Sequence, residues 1–311
     1  DPERLAEAKQ ELGLAETYRG AEALFADPKI DAVVLSVPNH LHAPMAIQAL
    51  DAGKHVLVEK PIARTSAEAE AMIAARDRAG KTLMVGMNQR FSPAVYGLKQ
   101  LIAEGGLGRI YYVKTWWTRF RPFEGLWGRG DWFLTKEHSG GGPLIDLGIH
   151  KLDLALHLLD FPEVVSVDGL CFRGIGEAAA RKRKRPYEIE DMGVGLIRLA
   201  GNVALHIEIS YFHNYAEDET HALTIHGTAG CARDAREVFA IQDDERKPLD
   251  LPAVPGAAAS SVEHFVNVLT GKETLSATAE QGLEGLRIIE ALYESAASGR
   301  SVPLAGTAAG V

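Results

Sequence analysis

Residues 31–63 read DAVVLSVPNHLHAPMAIQALDAGKHVLVEKPIA, a segment in which apolar runs of strand length flank a helical pattern. The runs are continuously apolar and do not alternate with polar residues, which is typical of parallel strands buried on both faces of a sheet. The alternation extends to residue 85, with apolar runs at 31–37, 55–58 and 82–85 and helical patterns at 42–52 and 66–79. This order predicts βαβ units with right-handed crossovers.

The second part of the chain is rich in strand patterns. Turn dipeptides such as Gly201-Asn202 separate them, which favours mostly antiparallel pairing. We expect strands at 110–117, 163–173, 188–199, 202–212, 220–226 and 229–241, and helices at 93–104, 143–159, 260–270 and 278–298. The predicted fold class is therefore α/β, with a Rossmann-type parallel-sheet domain at residues 1–92 and an α+β domain with a large, mostly antiparallel sheet at residues 93–311.

Composition restricts the partners and the compartment. A net charge of −9 argues against nucleic acid, whose phosphates require a basic surface. No apolar run approaches the roughly 20 residues that span a bilayer, so no membrane partner is expected. Cys171 and Cys231 make no plausible disulfide framework and are interpreted as free thiols, which predicts a cytoplasmic protein. The basic run at 181–185 is interpreted as a solvated loop, with an anionic partner as the alternative.

A complete dinucleotide-binding domain begins with a strand, a G-x-G-x-x-G turn and a helix whose N-terminus holds the pyrophosphate. No glycines in this chain have that spacing, and the acidic residue that binds the ribose is also missing. A parallel sheet that begins with a helix lacks its central strand. The pattern therefore predicts an N-terminally truncated chain, and the alternative is a fold that does not bind dinucleotides.

Two polar segments follow the first two predicted strands, at the sheet edge where open α/β proteins bind ligands. The first is residues 36–42 (SVPNHLH), for which the alternative is a helix start with Asn39 as the N-cap and Pro38 fixing the turn. The second is residues 59–61 (EKP). Lys60 in this position could bind cofactor and substrate and stabilise a developing alkoxide, whereas the alternative is a surface lysine beside a turn proline.

A third segment, residues 139–153, reads SGGGPLIDLGIHKLD. Asp146 and His150 are spaced i, i+4 and so share one helix face, with Asp153 one turn further along. An imidazole that titrates near neutral pH beside a carboxylate suits general acid–base catalysis. The alternatives are a structural His–Asp pair and a metal site, and we expect no metal because no further ligand is suitably spaced.

Other candidate residues carry weaker signals. Asn88 follows the third predicted strand and could reach the same edge, or it could belong to an ordinary loop. Trp117 and Arg119 lie in a segment rich in aromatic and charged residues. Such a segment suits sugar binding by stacking and hydrogen bonding, and it equally suits packing between domains.

Taken together, these motifs resemble the Gfo/Idh/MocA oxidoreductase family. The resemblance extends from residue 1 to about residue 305, and the segments that carry it are DPERLAEA, PNHLHAPMAIQALDAGKHVLVEKPIA, SGGGPLIDLGIHKLDLALHLL, HGTAG and EGLRIIEALYESAASG. It implies a Rossmann domain followed by a domain with a large sheet, and NAD or NADP as the cofactor. It also implies a homo-oligomer, either a dimer or a tetramer, since that sheet often forms an oligomer interface in the family.

The resemblance also implies roles for individual residues. Lys60 would contact cofactor and substrate, and Asp146 and His150 would lie at the substrate carbinol. Asp153 would contact substrate, and the residues on the cofactor side would be Ser36, Pro38, Asn39, His42 and Glu59. To these the residue patterns add Asn88 on the cofactor side and Trp117 and Arg119 on the substrate side.

We expect the chain to transfer a hydride between nicotinamide C4 and a secondary alcohol or ketone of a sugar or cyclitol. His150 would take the hydroxyl proton, Asp146 would orient the substrate hydroxyl or the imidazole, and Lys60 would stabilise the negative oxygen. Two alternatives are an NAD-dependent glycosidase of the same fold and a non-catalytic protein that senses cofactor or sugar. The sequence does not distinguish NAD from NADP or one sugar from another.

Overall fold

The computed structural model describes residues 2–121, 126 and 128–304. Its helices are α1 (Pro2–Glu11), α2 (Ala21–Ala26), α3 (His42–Asp51), α4 (Ser66–Ala79), α5 (Pro93–Ala103), α6 (Lys136–Ser139), α7 (Ile149–Leu158), α8 (Ile175–Arg183), α9 (Ser261–Leu269) and α10 (Ala279–Ser298). Its strands are β1 (Ala32–Leu35), β2 (His55–Glu59), β3 (Leu83–Gly86), β4 (Ile110–Arg119), β5 (Val164–Phe172), β6 (Met192–Leu199), β7 (Val203–Ser210), β8 (Glu219–Gly227), β9 (Gly230–Arg233), β10 (Glu237–Gln242), β11 (Glu245–Pro248) and β12 (Val302–Pro303).

The first sheet is parallel, with the order β1-β2-β3, as the βαβ pattern predicts. Val56, Leu57 and Val58 in the central strand are completely or almost completely buried, which explains the continuous apolar run. Parallel strands all end at the same edge of the sheet, and in this sheet that edge faces the second part of the chain. Within the described ranges, β1 is an edge strand that pairs only with β2. Its residue Val34 is 49% exposed.

The second sheet has nine strands in the order β11-β10-β9-β8-β4-β7-β6-β5-β12. All of its neighbouring pairs are antiparallel except β4 with β7, which confirms the prediction of a large, mostly antiparallel sheet. Helix α10 covers β5 at close range because Gly169 and Gly195 face each other on neighbouring strands. A Cβ atom at Gly169 would lie only 2.5 Å from the carbonyl oxygen of Leu292.

Three local predictions about this part of the chain were wrong. The expected strand at 229–241 is a hairpin of β9 and β10, because Asp234 and Ala235 turn the chain with positive φ angles of 51° and 52°. The basic run at 181–185 begins as the end of helix α8, which extends to Arg183, rather than forming a loop throughout. Residues 181–184 are exposed as expected, whereas Arg185 is half-buried and pairs with Asp131. The expected helix at 143–159 begins as a π-helical turn over Leu144–Gly148 before it becomes α7.

The two sheets lie on either side of the predicted domain boundary at residue 92, and that boundary stays a prediction. Helix α10 connects the two halves, since it packs on β5 of the large sheet and also contacts α4. Within the described part of the chain, no helix combines the length and apolar character needed to cross a membrane.

Glu284 on α10 is a buried acid whose titration we expect to affect stability. Its side chain is 5% exposed, and its Oε2 has no hydrogen-bond partner among the described residues. Burial raises the pKa of Glu284 to about 7, against a smaller opposing effect of Arg287. Because the folded-state pKa lies above the unfolded one, the stability contributed by the protonated acid is present below about pH 4.5 and is lost as pH rises through 7.

We therefore expect Glu284→Gln to be more stable than the wild type at about pH 8, by roughly 3 kcal/mol at most, and nearly equal to it at about pH 4. Urea unfolding at both pH values measures the difference. Glu294→Gln, an exposed position on the same helix, is the matched control and should show no such pH-dependent gain. A gain for Glu284→Gln that is equal at both pH values would contradict the explanation.

Candidate active site

Lys60 reaches from the first sheet to the second part of the chain. It follows directly after β2, and the peptide bond between Lys60 and Pro61 is cis. Its Nζ lies 2.6 Å from Oδ1 of Asp146 and donates a second hydrogen bond of 2.9 Å to the Asp146 carbonyl oxygen. The side chains are 17% and 9% exposed, so the ion pair is largely removed from solvent. The structure thus joins two of the predicted catalytic residues across 86 positions of sequence.

The π-helical turn that carries Asp146 is fixed by the glycine-rich segment before it. The buried carboxylate of Glu190 accepts hydrogen bonds from the backbone N–H groups of Gly142 (2.9 Å) and Leu144 (3.0 Å). A Cβ atom at Gly142 would lie 2.9 Å from that same carboxylate, so the close approach requires glycine. The backbone donors at the start of this turn are thereby satisfied by one side chain, which holds Asp146 in place.

Tyr211, which follows β7, holds the other oxygen of Asp146. Its hydroxyl donates to Oδ2 of Asp146 at 2.6 Å, and its side chain is completely buried. The positive charge of Lys60 and these hydrogen bonds outweigh burial and lower the pKa of Asp146 to about 2. Burial and the neighbouring carboxylate raise the pKa of Tyr211 well above its ordinary value. Asp146 is therefore a carboxylate at neutral pH, held between an ammonium and a phenol.

His150 lies one helical turn after Asp146 and is half-buried. Its Nδ1 is buried and has no hydrogen-bond partner among the described residues. Burial, and after it the charge of Lys60, lower the pKa of His150 to about 3. The imidazole is therefore neutral at pH 7. That nitrogen has almost no accessible surface, so a ligand hydroxyl would have to reach the imidazole at its other nitrogen, Nε2.

Trp117 and Arg119 lie at the end of β4, on the sheet beneath α7. The ring centroids of Trp117 and His150 are 6.4 Å apart. The Trp117 indole N–H donates to Glu219, and the Arg119 guanidinium lies 3.0 Å from the same carboxylate and 5.1 Å from the indole ring centroid. The structure thus places the Trp117 ring near the His150 ring and the Arg119 guanidinium against the Trp117 ring. Their contact with a substrate stays a prediction.

On the cofactor side, the structure divides the predicted residues into two groups. Ser36 and Asn88 are exposed, and Pro38 and Glu59 are half-buried, at or just after the ends of the three parallel strands. Their contact with a cofactor stays a prediction. Asn88 also accepts a hydrogen bond from the hydroxyl of Ser261 at the start of α9.

Asn39 and His42 have structural contacts instead. Asn39 is not an N-cap, since its Nδ2 donates a 2.8 Å hydrogen bond to the carbonyl oxygen of Ser139. His42 is 1% exposed, and its two ring nitrogens lie 2.7 Å from the carbonyl oxygen of Pro61 and 2.9 Å from that of Val37. Because His42 has almost no accessible surface, its geometry favours tying the ends of β1 and β2 together over the predicted cofactor contact.

Asp153 also departs from its predicted role. Both of its oxygens accept hydrogen bonds from Arg90, and the two side chains are 3% and 1% exposed. Arg90 donates further to Gln281 at 2.6 Å. This buried ion pair occupies the carboxylate that was expected to contact substrate, so the geometry favours a structural role for Asp153 over the predicted substrate contact.

Three polar side chains thus extend from the strand ends of the first sheet to residues 139–153. Asn39, after β1, donates a hydrogen bond to Ser139. Lys60, after β2, forms an ion pair with Asp146, and Arg90, after β3, forms one with Asp153. No local pattern in the sequence predicted the contributions of Arg90, Tyr211 and Glu190. Tyr211 directly follows β7, whereas Arg90 lies in the loop after β3 and Glu190 lies just before β6, so the three share no signal.

The residues present fit the nicotinamide end of a dinucleotide. Ser36 and Asn88 offer exposed polar groups at the strand ends, Lys60 supplies a cation, and His150 has an unsatisfied ring nitrogen nearby. This is the edge at which open α/β sheets bind such ligands. Among the described residues, no three potential metal-ligating side chains converge.

Comparison with known proteins identifies the family to which the chain belongs. Residues 1–87 match the oxidoreductase family NAD-binding Rossmann fold, and residues 99–304 match the oxidoreductase family C-terminal alpha/beta domain, both of the Gfo/Idh/MocA group. The chain therefore belongs to the Gfo/Idh/MocA oxidoreductase family. This confirms the expected class of enzyme, a nicotinamide-dependent oxidoreductase, and the cofactor type, with the choice between NAD and NADP still open.

Several individual proteins are similar to this chain over nearly its whole length. The chain is 32% identical to D-glucoside 3-dehydrogenase of Escherichia coli (strain K12), over 97% of this chain and 88% of that protein. It is 28% identical to scyllo-inositol 2-dehydrogenase (NADP(+)) of Bacillus subtilis (strain 168), over 97% and 86%. Among solved structures, levoglucosan dehydrogenase in complex with NADH and levoglucosan superposes with a TM-score of 0.80 at 26% identity, over 98% of this chain and 88% of that chain.

Proposed function

We propose that this protein transfers a hydride between a nicotinamide cofactor and a secondary alcohol or ketone of a sugar or cyclitol, using Lys60, Asp146 and His150. The observation that carries the proposal is the largely buried Lys60–Asp146 ion pair, with His150 as a neutral imidazole one helical turn after Asp146. The relatives described above act on glucosides, inositol and levoglucosan by their names, which supports a polyhydroxylated substrate.

In the proposed oxidation, the cofactor and the protein supply different parts of the chemistry. When bound, the nicotinamide supplies the acceptor for the hydride that leaves the carbinol carbon. The Lys60 ammonium would hold the carbinol oxygen and stabilise the negative charge that develops on it. His150 would accept the hydroxyl proton, since its imidazole is neutral at all pH values above about 3.

The low pKa of His150 gives Lys60 a second role in the proposed proton transfer. An imidazole with a pKa of about 3 is a weak base, so it accepts a proton only from a hydroxyl group that is already acidified. An ammonium in contact with the carbinol oxygen provides that acidification. Asp146 would not orient the imidazole, as one form of the hypothesis had it, because its oxygens are bonded to Lys60 and Tyr211.

Purified protein, NAD or NADP, and a panel of aldoses, glucosides and inositols test the proposal through the absorbance of the reduced nicotinamide. We expect net formation of reduced cofactor with at least one member of the panel, and its loss in His150→Asn. Cleavage of a glycoside without net reduced cofactor would instead support the glycosidase alternative. Tight cofactor binding with no turnover on any member would support the sensing alternative.

Tyr211 should act as a positioning residue for Asp146. We expect Tyr211→Phe to lower kcat/KM about tenfold, because a hydrogen bond to a charged group contributes about 1.5–3 kcal/mol. The substitution also removes a group that lowers the pKa of Asp146, so the acidic limb of the pH profile of kcat/KM should move to higher pH. Tyr96→Phe, which loses a hydroxyl bond to the Ala258 carbonyl far from the site, is the control. An unchanged acidic limb would contradict the positioning role.

We also propose a cytoplasmic homo-oligomer that associates through the large sheet. Leu170, Phe172 and Leu196, on neighbouring strands β5 and β6, are 64%, 50% and 45% exposed on the face opposite α10. Exposed apolar side chains clustered on a sheet are typical of protein interfaces. Sedimentation velocity should give a mass of two or four chains, and substitution of Leu196 by Lys should lower it. A monomeric wild type would contradict the association.

A further inference from the structure

Lys151 is a buried cation that the proposed reaction does not use. It follows His150 on α7, and its side chain is 4% exposed. Its Nζ lies 5.4 Å from the centroid of the Trp117 ring. Within the described ranges, no hydrogen bond or ion pair engages this ammonium. The Asp234 carboxylate favours the charged form of Lys151 without a hydrogen bond or ion pair to it. This longer-range charge and a cation–π contact replace only part of the lost hydration of an ammonium, so a further partner would stabilise it.

A cavity of about 260 Å³ opens beside this ammonium. The polar groups that line it are the side chains of Gln89, Lys151, His221, Asp234 and Arg236. Four of these five side chains can donate hydrogen bonds. The single carboxylate, that of Asp234, already accepts a 2.7 Å hydrogen bond from the backbone N–H of Leu223. The cavity therefore presents an excess of donors, which is the chemistry of an anion site.

The cavity lies near the proposed catalytic residues, with the Trp117 ring between a residue of the cavity and His150. The indole ring lies 6.4 Å from the His150 ring and 5.2 Å from the His221 ring, centroid to centroid. His221 and Arg236 are exposed, so the cavity opens to solvent on that side. A ligand that reaches from His150 past Trp117 would place its far end at Lys151.

We infer that this cavity is a subsite for the anionic substituent of an acidic sugar, with Lys151 as the charged donor at its base. The inference rests on the proposed function, because it assumes that a sugar lies at His150. The shared chemistry is a carboxylate or a phosphate attached to the ring. Burial lowers the pKa of Lys151, and a bound anion would favour its charged form again.

Isothermal titration calorimetry on the full chain tests the subsite without any need for turnover. The probes are D-glucuronate, D-galacturonate, D-glucose 6-phosphate and the neutral sugars D-glucose and D-galactose. We expect at least one anionic sugar to bind about ten- to a hundredfold more tightly than its neutral counterpart. The comparison of uronates with the phosphate distinguishes the two kinds of anion.

Lys151→Met should remove this preference while the neutral sugars keep their affinity, and Lys247→Met on the exposed strand β11 should leave it intact. Should Lys151→Met fail to fold by circular dichroism, Arg236→Gln at the solvent-exposed mouth of the cavity takes its place and should weaken the preference. Anionic sugars that bind no more tightly than neutral ones, or a preference that survives the variants, would overturn the inference.

The two proposals fail in different ways. If hydride transfer to NAD or NADP occurs with neutral sugars but no anion preference exists, the subsite is wrong and the proposed function stands. If an anion preference depends on Lys151 but no sugar of either kind reduces the cofactor, the cavity binds acidic sugars and the proposed reaction is wrong.

Discussion

Replacement of Lys60 by methionine is expected to lower kcat by about a hundred- to a thousandfold, the largest loss of activity that the structure predicts for a single side chain. Methionine keeps much of the length of the lysine side chain and removes its charge. The loss has two sources. The carbinol oxygen would lose the cation that stabilises its developing charge. His150 would then face an unacidified alcohol while burial, the largest cause of its lowered pKa, still keeps it a weak base.

The same substitution should also change the pKa of Asp146. Lys60 is the largest of the influences that lower the pKa of Asp146 to about 2, so this pKa should rise in Lys60→Met. Steady-state kinetics across a pH series measures both effects, and Lys247→Met is the control for a lysine outside the site. Circular dichroism establishes that the variant is folded. A folded variant with kcat within threefold of the wild type would rule out the role given to Lys60.

The largest loss of stability should come from the Arg90–Asp153 ion pair. We expect Asp153→Asn to lower the free energy of unfolding by roughly 3–5 kcal/mol, because it leaves the guanidinium of Arg90 buried without its counter-charge. Arg90 is 1% exposed and keeps only neutral partners, Gln281 and Ser276, after the change. Urea denaturation measures the loss.

Asp51→Asn is the matched control, since Asp51 pairs with Arg78 at the surface and both side chains are more than half exposed. An exposed pair is screened by solvent and should contribute little. The double replacement Arg90→Met with Asp153→Leu should lose less stability than Asp153→Asn alone, since no buried charge is then left unpaired. Equal losses for Asp153→Asn and Asp51→Asn would refute the assignment of the pair as structural.

The features that sequence predicted well are those with a local pattern. The apolar run at 55–58 identified β2 because burial on both faces leaves a continuous signal within a few residues. The i, i+4 spacing placed Asp146 and His150 on neighbouring turns, and the motif order identified the family. Each of these depends on residues close together in the chain.

The features that sequence did not predict depend on distant contacts. Tyr211 meets Asp146 across 65 positions, and Arg90 meets Asp153 across 63, so no local pattern connects either pair. Asp153 was predicted to contact substrate for the same reason. Its position on the helix was predicted correctly, but its partner Arg90 comes from the loop after β3, which no local pattern indicates. His42 was assigned to the cofactor because it follows β1, whereas its neighbours in space are two backbone carbonyl groups.

The three side chains that extend from the parallel strand ends to residues 139–153 have a consequence for motion. A rigid-body swing of one sheet away from the other about a hinge would have to break two buried ion pairs and the amide contact of Asn39 together. That is costly on the timescale of turnover. We therefore expect the two sheets to stay joined throughout the catalytic cycle, so that substrate enters and leaves without their separation.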